Sequence, residues 1–314
     1  MKILVVFTGG TIGSTTRDGW ISTDKSAKYT LIENYNQKRS DSIDFYTAEP
    51  YYSLSENLCA KNLNLLLYCI ADAVKQDYDG IIITHGTDSL HFSAAAVHHA
   101  FENADIPIVF VSANYPLEDA RSNGNANFEG AVEFIKSDIN SGVYISYKNP
   151  CCRHYIHNAN EALAFNETDD SIYSLKNEPC AVFEDGNISL LKAPCTSAEM
   201  KFSPLCDNPK ILAVNIMPGD NFAYNVSEYN AVILRPYHSG TVNNENPLFL
   251  SFLKRCKKLD IPVFLAGAPM GTTYDTAKEL CNIGIIPLPL TTFASVYMKL
   301  WLAISANKNL KNLF

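Results

Sequence analysis

Apolar and polar positions alternate along the first half of the chain as strands and helices would. Residues 2–7 are a short apolar run rich in β-branched side chains that ends in glycines, as expected for a strand buried on both faces and opening into a tight loop. Leu58, Leu63, Leu66, Leu67, Ile70 and Val74 fall mostly on one face of a helix over 58–74. Residues 80–84 read as another buried strand. The helix after it presents Leu90, Ala94, Val97 and Phe101 inward, and Asp88 is placed to cap it. A strand at 106–113, a helix at 128–135 and a strand at 142–147 continue the alternation, which predicts a mainly parallel sheet flanked by helices.

Between 176 and 209 the periodicity loosens around Pro179, Pro194, Pro204 and Pro209, as in a hairpin and linker. Strands at 211–217, 231–234 and 261–266 then alternate with helices at 248–259, 276–282 and 291–305, and Gly284 closes the second of these helices. The expected organisation is an α/β domain over 1–185, a linker over 186–209 and a smaller α/β domain over 210–314. No internal repeat or low-complexity segment interrupts it.

Composition narrows the partners. The 314 residues carry 25 Lys+Arg against 33 Asp+Glu, a net charge of −8, which opposes binding to a nucleic-acid backbone. With 47% hydrophobic and 18% charged residues the chain can bury a large core. No apolar run is long enough to span a bilayer, and the opening run is shorter than a signal-peptide core, so a soluble, cytoplasmic protein is expected. Nine cysteines without disulfide-like spacing fit free thiols in a reducing compartment. The Asn-x-Ser/Thr matches at Asn166, Asn187 and Asn225 are then chance occurrences.

Ligands of open parallel sheets bind at the carboxyl ends of the strands, beside helix N-termini. Two polar segments fall there: Thr8-Gly9-Gly10-Thr11-Ile12-Gly13 and His85-Gly86-Thr87-Asp88-Ser89. The first fits neither the dinucleotide fingerprint, since Thr11, Ile12 and Ser14 occupy positions that need glycine, nor the phosphate loop, since no Gly-Lys pair follows. A nucleotide-binding reading therefore has only fold analogy behind it. By itself the first segment is a tight turn that needs positive φ.

Together the two segments resemble the T-G-G-T-I and H-G-T-D-T/S signatures of the asparaginase/glutaminase family. Leu54-Ser55-Glu56-Asn57-Leu58 is similar to the family's substrate loop. Val111-Ser112-Ala113-Asn114-Tyr115-Pro116 with Arg121-Ser122-Asn123-Gly124 is similar to the loop and helix start after the fourth strand. Ile233-Leu234-Arg235-Pro236-Tyr237 with Gly240 is similar to part of the second domain. The resemblance, nearest to cytoplasmic type I members, implies hydrolysis of a side-chain amide to a carboxylate and ammonia, without metal or other cofactor. It implies Thr11 as a nucleophile forming an acyl-enzyme. Thr87 and Asp88 would orient water and hold the substrate's α-amino group, with Gly86 in the same binding loop. Ser55 and Glu56 would hold the α-carboxylate and amine, and the backbone at Ala113 would lie near the reacting amide. The substrate would be asparagine or a related small amide, and the assembly a homodimer or homotetramer.

The chain departs from the family at three positions. Trp20, in Gly19-Trp20-Ile21, stands where the family has tyrosine, and an indole N–H cannot accept a proton. Tyr29 is the candidate replacement base. Matching Leu163-Ala164-Phe165 to the family's downstream segment puts Ile156 at the family's lysine, and no lysine occurs over 149–160. His154, His157 or Lys148 are the candidates to supply that base. Phe293, with Thr291 and Thr292 nearby, stands where the family has a glutamate shared across subunits. An amino-acid-binding homologue with little turnover is the alternative these departures favour.

Cys151-Cys152-Arg153-His154-Tyr155-Ile156-His157 lacks paired Cys-x₂₋₄-Cys spacing and is expected to be a surface loop rather than a metal site. His91, His98 and His99 are expected to be partly exposed structural residues. Tyr297 and Trp301 are expected to pack as an i,i+4 pair.

Overall fold

The computed structural model describes the chain apart from residues 18–19, 24–26, 40–41, 138–140, 165–168, 194–199, 201 and 268–273, with side chains described outside 16–28 and 276–277. The chain divides into two compact units, Met1–Phe202 and Ser203–Phe314.

In the first unit the strands are β1 (Lys2–Phe7), β2 (Ser14–Arg17), β3 (Trp20–Thr23), β4 (Asp44–Ala48), β5 (Gly80–Thr84), β6 (Pro107–Val111), β7 (Gly142–Lys148), β8 (His154–Asn158), β9 (Ala162–Ala164), β10 (Ile172–Ser174), β11 (Ala181–Glu184) and β12 (Asn187–Leu190). The helices are α1 (Ala27–Lys38), α2 (Ala60–Ala73), α3 (Leu90–Phe101) and α4 (Gly124–Lys136). Eight strands form one sheet in the order β12-β11-β8-β7-β6-β5-β1-β4. Pairing is parallel from β4 through β7 and antiparallel from β7 through β12. β2–β3 and β9–β10 are separate antiparallel hairpins. Thus Asn187–Leu190, at the start of the segment read from sequence as a linker, is an edge strand of the first unit's sheet.

Both faces of the parallel part are covered, which is why its strands are continuous apolar runs. On one face Ile3, Val5, Phe7 and Ile82 pack with Leu31 and Tyr35 of α1 and Phe128, Ala131, Val132 and Ile135 of α4. The alternate residues Leu4, Val6, Ile81 and Ile83 are equally buried, on the face where α2 and α3 pack against each other. Since β5, β6 and β7 advance in one direction while α3 and α4 lie on opposite faces, one of those two crossovers has the rarer left hand.

The second unit has a four-stranded parallel sheet of β13 (Ile211–Asn215), β14 (Ala231–Arg235), β15 (Val263–Leu265) and β16 (Ile285–Pro287) in sequential order. Its helices are α5 (Pro247–Lys258), α6 (Asp275–Asn282) and α7 (Phe293–Ser305). Phe249, Phe252 and Leu253 of α5 pack on one side of the sheet, and Val296 and Leu300 of α7 on the other. Asn246 caps α5 by accepting from the Leu248 N–H at 2.9 Å, with Pro247 in the first turn. Asn246→Ala should cost about 1 kcal/mol, read as a lower denaturation midpoint in urea. Tyr297 and Trp301 do pack edge to face at 6.0 Å, and the indole N–H donates to the Cys206 carbonyl at 2.8 Å.

Candidate active site

Three loops meet at the carboxyl ends of β1, β4 and β5, with the loop after β6 beside them. In the first, the buried Thr8 hydroxyl donates to the Thr84 carbonyl at 2.6 Å, tying the end of β1 to the end of β5. Gly9 and Gly10 follow with φ of 102° and 81°. A Cβ on Gly9 would collide with the Ser53 backbone, and one on Gly10 with the backbone of His85 and Gly86. Their bare Cα atoms are what allow the 8–13, 53–57 and 85–89 loops to touch backbone to backbone. Gly10 N–H donates to Ser53 O at 3.2 Å, and Ser53 N–H to Thr8 O at 3.0 Å. Gly10→Ala should therefore destabilise the fold by about 2 kcal/mol through left-handed strain and collision, measurable by urea denaturation.

Thr11 opens a single 3-10 turn, Thr11–Gly13, and is half-buried. The Ser14 hydroxyl donates to the Gly10 carbonyl at 2.8 Å, and the Tyr52 hydroxyl donates to the Gly13 carbonyl. α1 packs against this turn.

The second loop carries Ser55, buried in the 3-10 turn Ser55–Asn57, with Glu56 exposed beside it. The Ser55 hydroxyl donates to the Asp88 carboxylate at 3.0 Å, and the Ser89 hydroxyl donates to the Ser55 carbonyl at 2.6 Å. A Cβ on Gly86 would strike the Ser55 side chain, so the glycine makes room for this contact. Asp88 is thus engaged by Ser55 rather than capping α3. Ser89 occupies the cap position, without a side-chain capping bond. The Asp88 carboxylate still lies beside the positive end of α3, a placement worth about 0.3–1 kcal/mol.

Behind these residues His85 is fully buried. Its Nδ1 lies 2.9 Å from the Gly86 carbonyl, which only accepts, so Nδ1 carries the proton and Nε2 accepts from the Ser93 hydroxyl at 2.9 Å. Burial pushes this imidazole down to about 4, against the opposing effects of the Gly86 carbonyl and then Asp88, so it is neutral near pH 7. It fixes the peptide that leads into Thr87 and Asp88. Burial also pushes the neighbouring Tyr51 hydroxyl up to about 12.

Ala113 lies just past β6, next to His85, whose N–H donates to Val111 O at 2.9 Å. Asn114 and Asn123 exchange side-chain-to-backbone hydrogen bonds at 2.9 and 3.0 Å, closing the loop after β6. The Asn123 amide also donates to Lys148 O, and Asn127 bridges Ser112 O and Lys148 N–H.

Residues 2–195 match the model of the asparaginase N-terminal domain. The chain belongs to the asparaginase family.

Its relatives and structural neighbours agree with that family. An L-asparaginase of Thermococcus kodakarensis is 22% identical over all of this chain and 95% of its own length. A solved structure of a thermostable L-asparaginase from that organism superposes with a TM-score of 0.83 at 21% identity, covering 100% of this chain and 95% of that one. L-asparaginase 1 of Escherichia coli K12 is 26% identical over 91% of this chain and 86% of its own. A glutamyl-tRNA(Gln) amidotransferase component of Methanobrevibacter smithii is 24% identical over 95% of this chain and 71% of its own.

Of the residues singled out in this asparaginase-family sequence, Ser55, Gly86, Thr87 and Asp88 come together beside the turn bearing Thr11, with Ala113 on the adjoining strand end. Tyr29 lies on α1, its ring edge-on to Phe7 at 6.0 Å and 46% exposed. Trp20 is on β3 opposite Arg17, and its side chain lies outside the described residues. So does Phe165, the anchor of the lysine alignment, along with Asn166.

Ile156 is not at this site: it is in the sheet core with Phe128 and Tyr144, paired with Ser146 and Ala181. The expected surface loop at 151–157 is corrected as well. Only Cys151, Cys152 and Arg153 are exposed, and His154 onward is a buried strand. The Ser146 hydroxyl donates to Asn127 O at 2.8 Å, so His154 Nε2 donates to that hydroxyl at 2.9 Å. His157, on the opposite face from Ile156, has Nδ1 2.8 Å from the Ser174 hydroxyl. Burial holds His154 at about 3 and His157 at about 4, so neither takes up a proton near neutral pH. His91, His98 and His99 are buried on α3 rather than partly exposed, because α3 is enclosed on every side. Thr292 caps α7 by accepting from Ser295 N–H at 3.2 Å.

The sequence segments contained His85, Ser89, Asn114 and Asn123 but gave them no roles; the contacts that define those roles join residues separated in the chain. Among the described residues no group of three or more His, Cys, Asp or Glu could hold a metal, and no helix is long and apolar enough to cross a membrane.

Proposed function

We propose that this chain hydrolyses the side-chain amide of asparagine, or of a closely related small amide, to a carboxylate and ammonia. The Thr11 oxygen adds to the amide carbon, the C–N bond breaks with ammonia leaving, and water opens the resulting ester to regenerate the hydroxyl. The observation that carries this reading is the backbone contact between the Gly10 turn and Gly86. It sets Thr11 beside the loop of Thr87 and Asp88, whose carboxylate is held by Ser55. In this reading Thr87 and Asp88 orient water and hold the α-amino group, Ser55 and Glu56 bind the α-carboxylate and amine, and the Ala113 backbone faces the reacting amide. Peptide N–H groups at the loop offer stabilisation to the developing oxyanion.

Tyr29 is the proposed proton acceptor for Thr11, since α1 packs on the Thr11 turn and a phenol oxygen can accept where an indole cannot. Tyr29→Phe should lower kcat by about 10²-fold or more with little change in KM, in an ammonia-release assay at saturating asparagine.

The relatives named L-asparaginase favour asparagine as substrate, and the one named for glutamyl-tRNA(Gln) amidotransferase keeps glutamine in the assay. Ammonia release from both, with Thr11→Val and Thr87→Val controls, tests the reading. The absence of lysine over 149–160 favours a second one, an amino-acid-binding homologue with little turnover. It predicts that asparagine or aspartate raises the melting temperature without being consumed. A homodimer or homotetramer accompanies the first reading, and light scattering of the purified chain checks it.

A further inference from the structure

The turn between β7 and β8 carries two adjacent thiols, Cys151 and Cys152, both exposed. Pro150 leads the turn, Cys151 follows with φ of 57°, and Cys152 N–H donates to Asn149 O at 3.2 Å. Glycine or asparagine ordinarily fills the left-handed second central position of such a turn. A cysteine there costs on the order of 1–2 kcal/mol. The base of the turn is fixed on both sides. The Asn149 side chain both accepts from Ile172 N–H at 2.9 Å and donates to Ile172 O at 2.8 Å. Lys148 is held through its N–H by Asn127 and through its carbonyl by Asn123. Two thiols are therefore displayed together on a turn that is already ordered.

The donor set limits what this pair can bind. His154 is the nearest further soft donor in sequence, but it is buried, with Nε2 committed to Ser146. Among the described residues the closed four-ligand shell of a structural zinc site is not assembled. A direct disulfide is also disfavoured. Adjacent Cα atoms across a trans peptide are about 3.8 Å apart, below the roughly 4.4–6.8 Å that unstrained disulfides span. Inserting one soft atom between the sulfurs lengthens the bridge and relieves that mismatch.

We propose that Cys151 and Cys152 form a dithiol site that chelates trivalent arsenicals. An arsenic(III) oxide R–As=O takes both sulfurs: two As–S bonds form, the As–O bond breaks, and the oxygen leaves as water with the two thiol protons. Arsenic stays trivalent, so no oxidant or reductant is required. The site is independent of the proposed amide hydrolysis.

The test uses the full-length reduced protein and phenylarsine oxide. Wild type should retain one phenylarsenic group through desalting, seen by intact mass. It should release the group to 2,3-dimercaptopropanol but not to an equivalent concentration of a monothiol. Cys151→Ser and Cys152→Ser should each weaken retention roughly 100-fold or more, the loss expected when a two-point attachment becomes single. Cys59→Ser and Cys281→Ser, which remove exposed thiols elsewhere, should bind as wild type. Matching circular dichroism and melting temperatures would show that the serine variants are folded. Failure of wild type to retain the arsenical, or unchanged retention in folded Cys151→Ser and Cys152→Ser, overturns the proposal.

Discussion

Thr11→Val should abolish ammonia release from asparagine, lowering kcat by about 10⁴-fold or more, the scale seen when a nucleophile is deleted. Valine keeps the shape of threonine and removes only the oxygen. The turn that holds residue 11 is built by Gly9, Gly10, Ser14 and Tyr52, so melting should shift by no more than about 4 °C. Loss of turnover without loss of folding separates a chemical role from a structural one. If Thr11→Val and wild type release ammonia at equal rates, the proposed mechanism fails. If neither releases any while asparagine still raises the melting temperature, the binding homologue is the correct reading. Thr87→Val is the companion measurement: with Thr11 intact it should reduce turnover while leaving the fold unchanged.

Acid should destabilise the protein steeply between pH 6.5 and 4. His85, His154 and His157 are buried and neutral, held down to about 4, 3 and 4 from an ordinary value of 6.5. Burial is the main cause in each, and Lys148 adds to it at His154. In the unfolded chain these rings take up protons as pH falls through 6.5, while the folded chain cannot follow until near its depressed values. The unfolded state then binds more protons, so folding stability falls with pH across this window and is unaffected by these groups above it. Each ring contributes about 1.4 kcal/mol per pH unit, and the three together on the order of 4 kcal/mol per unit. Urea denaturation at half-unit pH steps measures the slope. His154→Gln, whose amide can still donate to Ser146, should remove about a third of it. A flat stability between pH 6.5 and 5 would show that the rings are not buried as described.

Much of the scaffold was legible in the sequence because local patterns determine it. The apolar runs that became β1, β5, β6 and β7 are buried on both faces, and such strands show no alternation to confuse the reading. α2 and α5 have clear inward stripes. Less legible were β8, β11 and β12, which extend the sheet by antiparallel pairing among polar and proline-rich segments. α1 was missed too, since residues 27–38 alternate polar and apolar side chains without a sharp stripe.

By itself the sequence determined the loop signatures, Thr8-Gly9-Gly10-Thr11 and His85-Gly86-Thr87-Asp88, and with them the family, because glycine and hydroxyl positions in a tight turn are local requirements. Tertiary structure decided what those loops do to one another. The glycines serve to bring three backbones into contact, and Asp88 answers to Ser55, 33 positions away, rather than to its own helix. It also decided where residues 154–157 lie. In a strand neighbouring side chains point to opposite faces, and β8, by pairing with β7 and β11, places Ile156 among Phe128 and Tyr144 and turns His157 to the other side of the sheet.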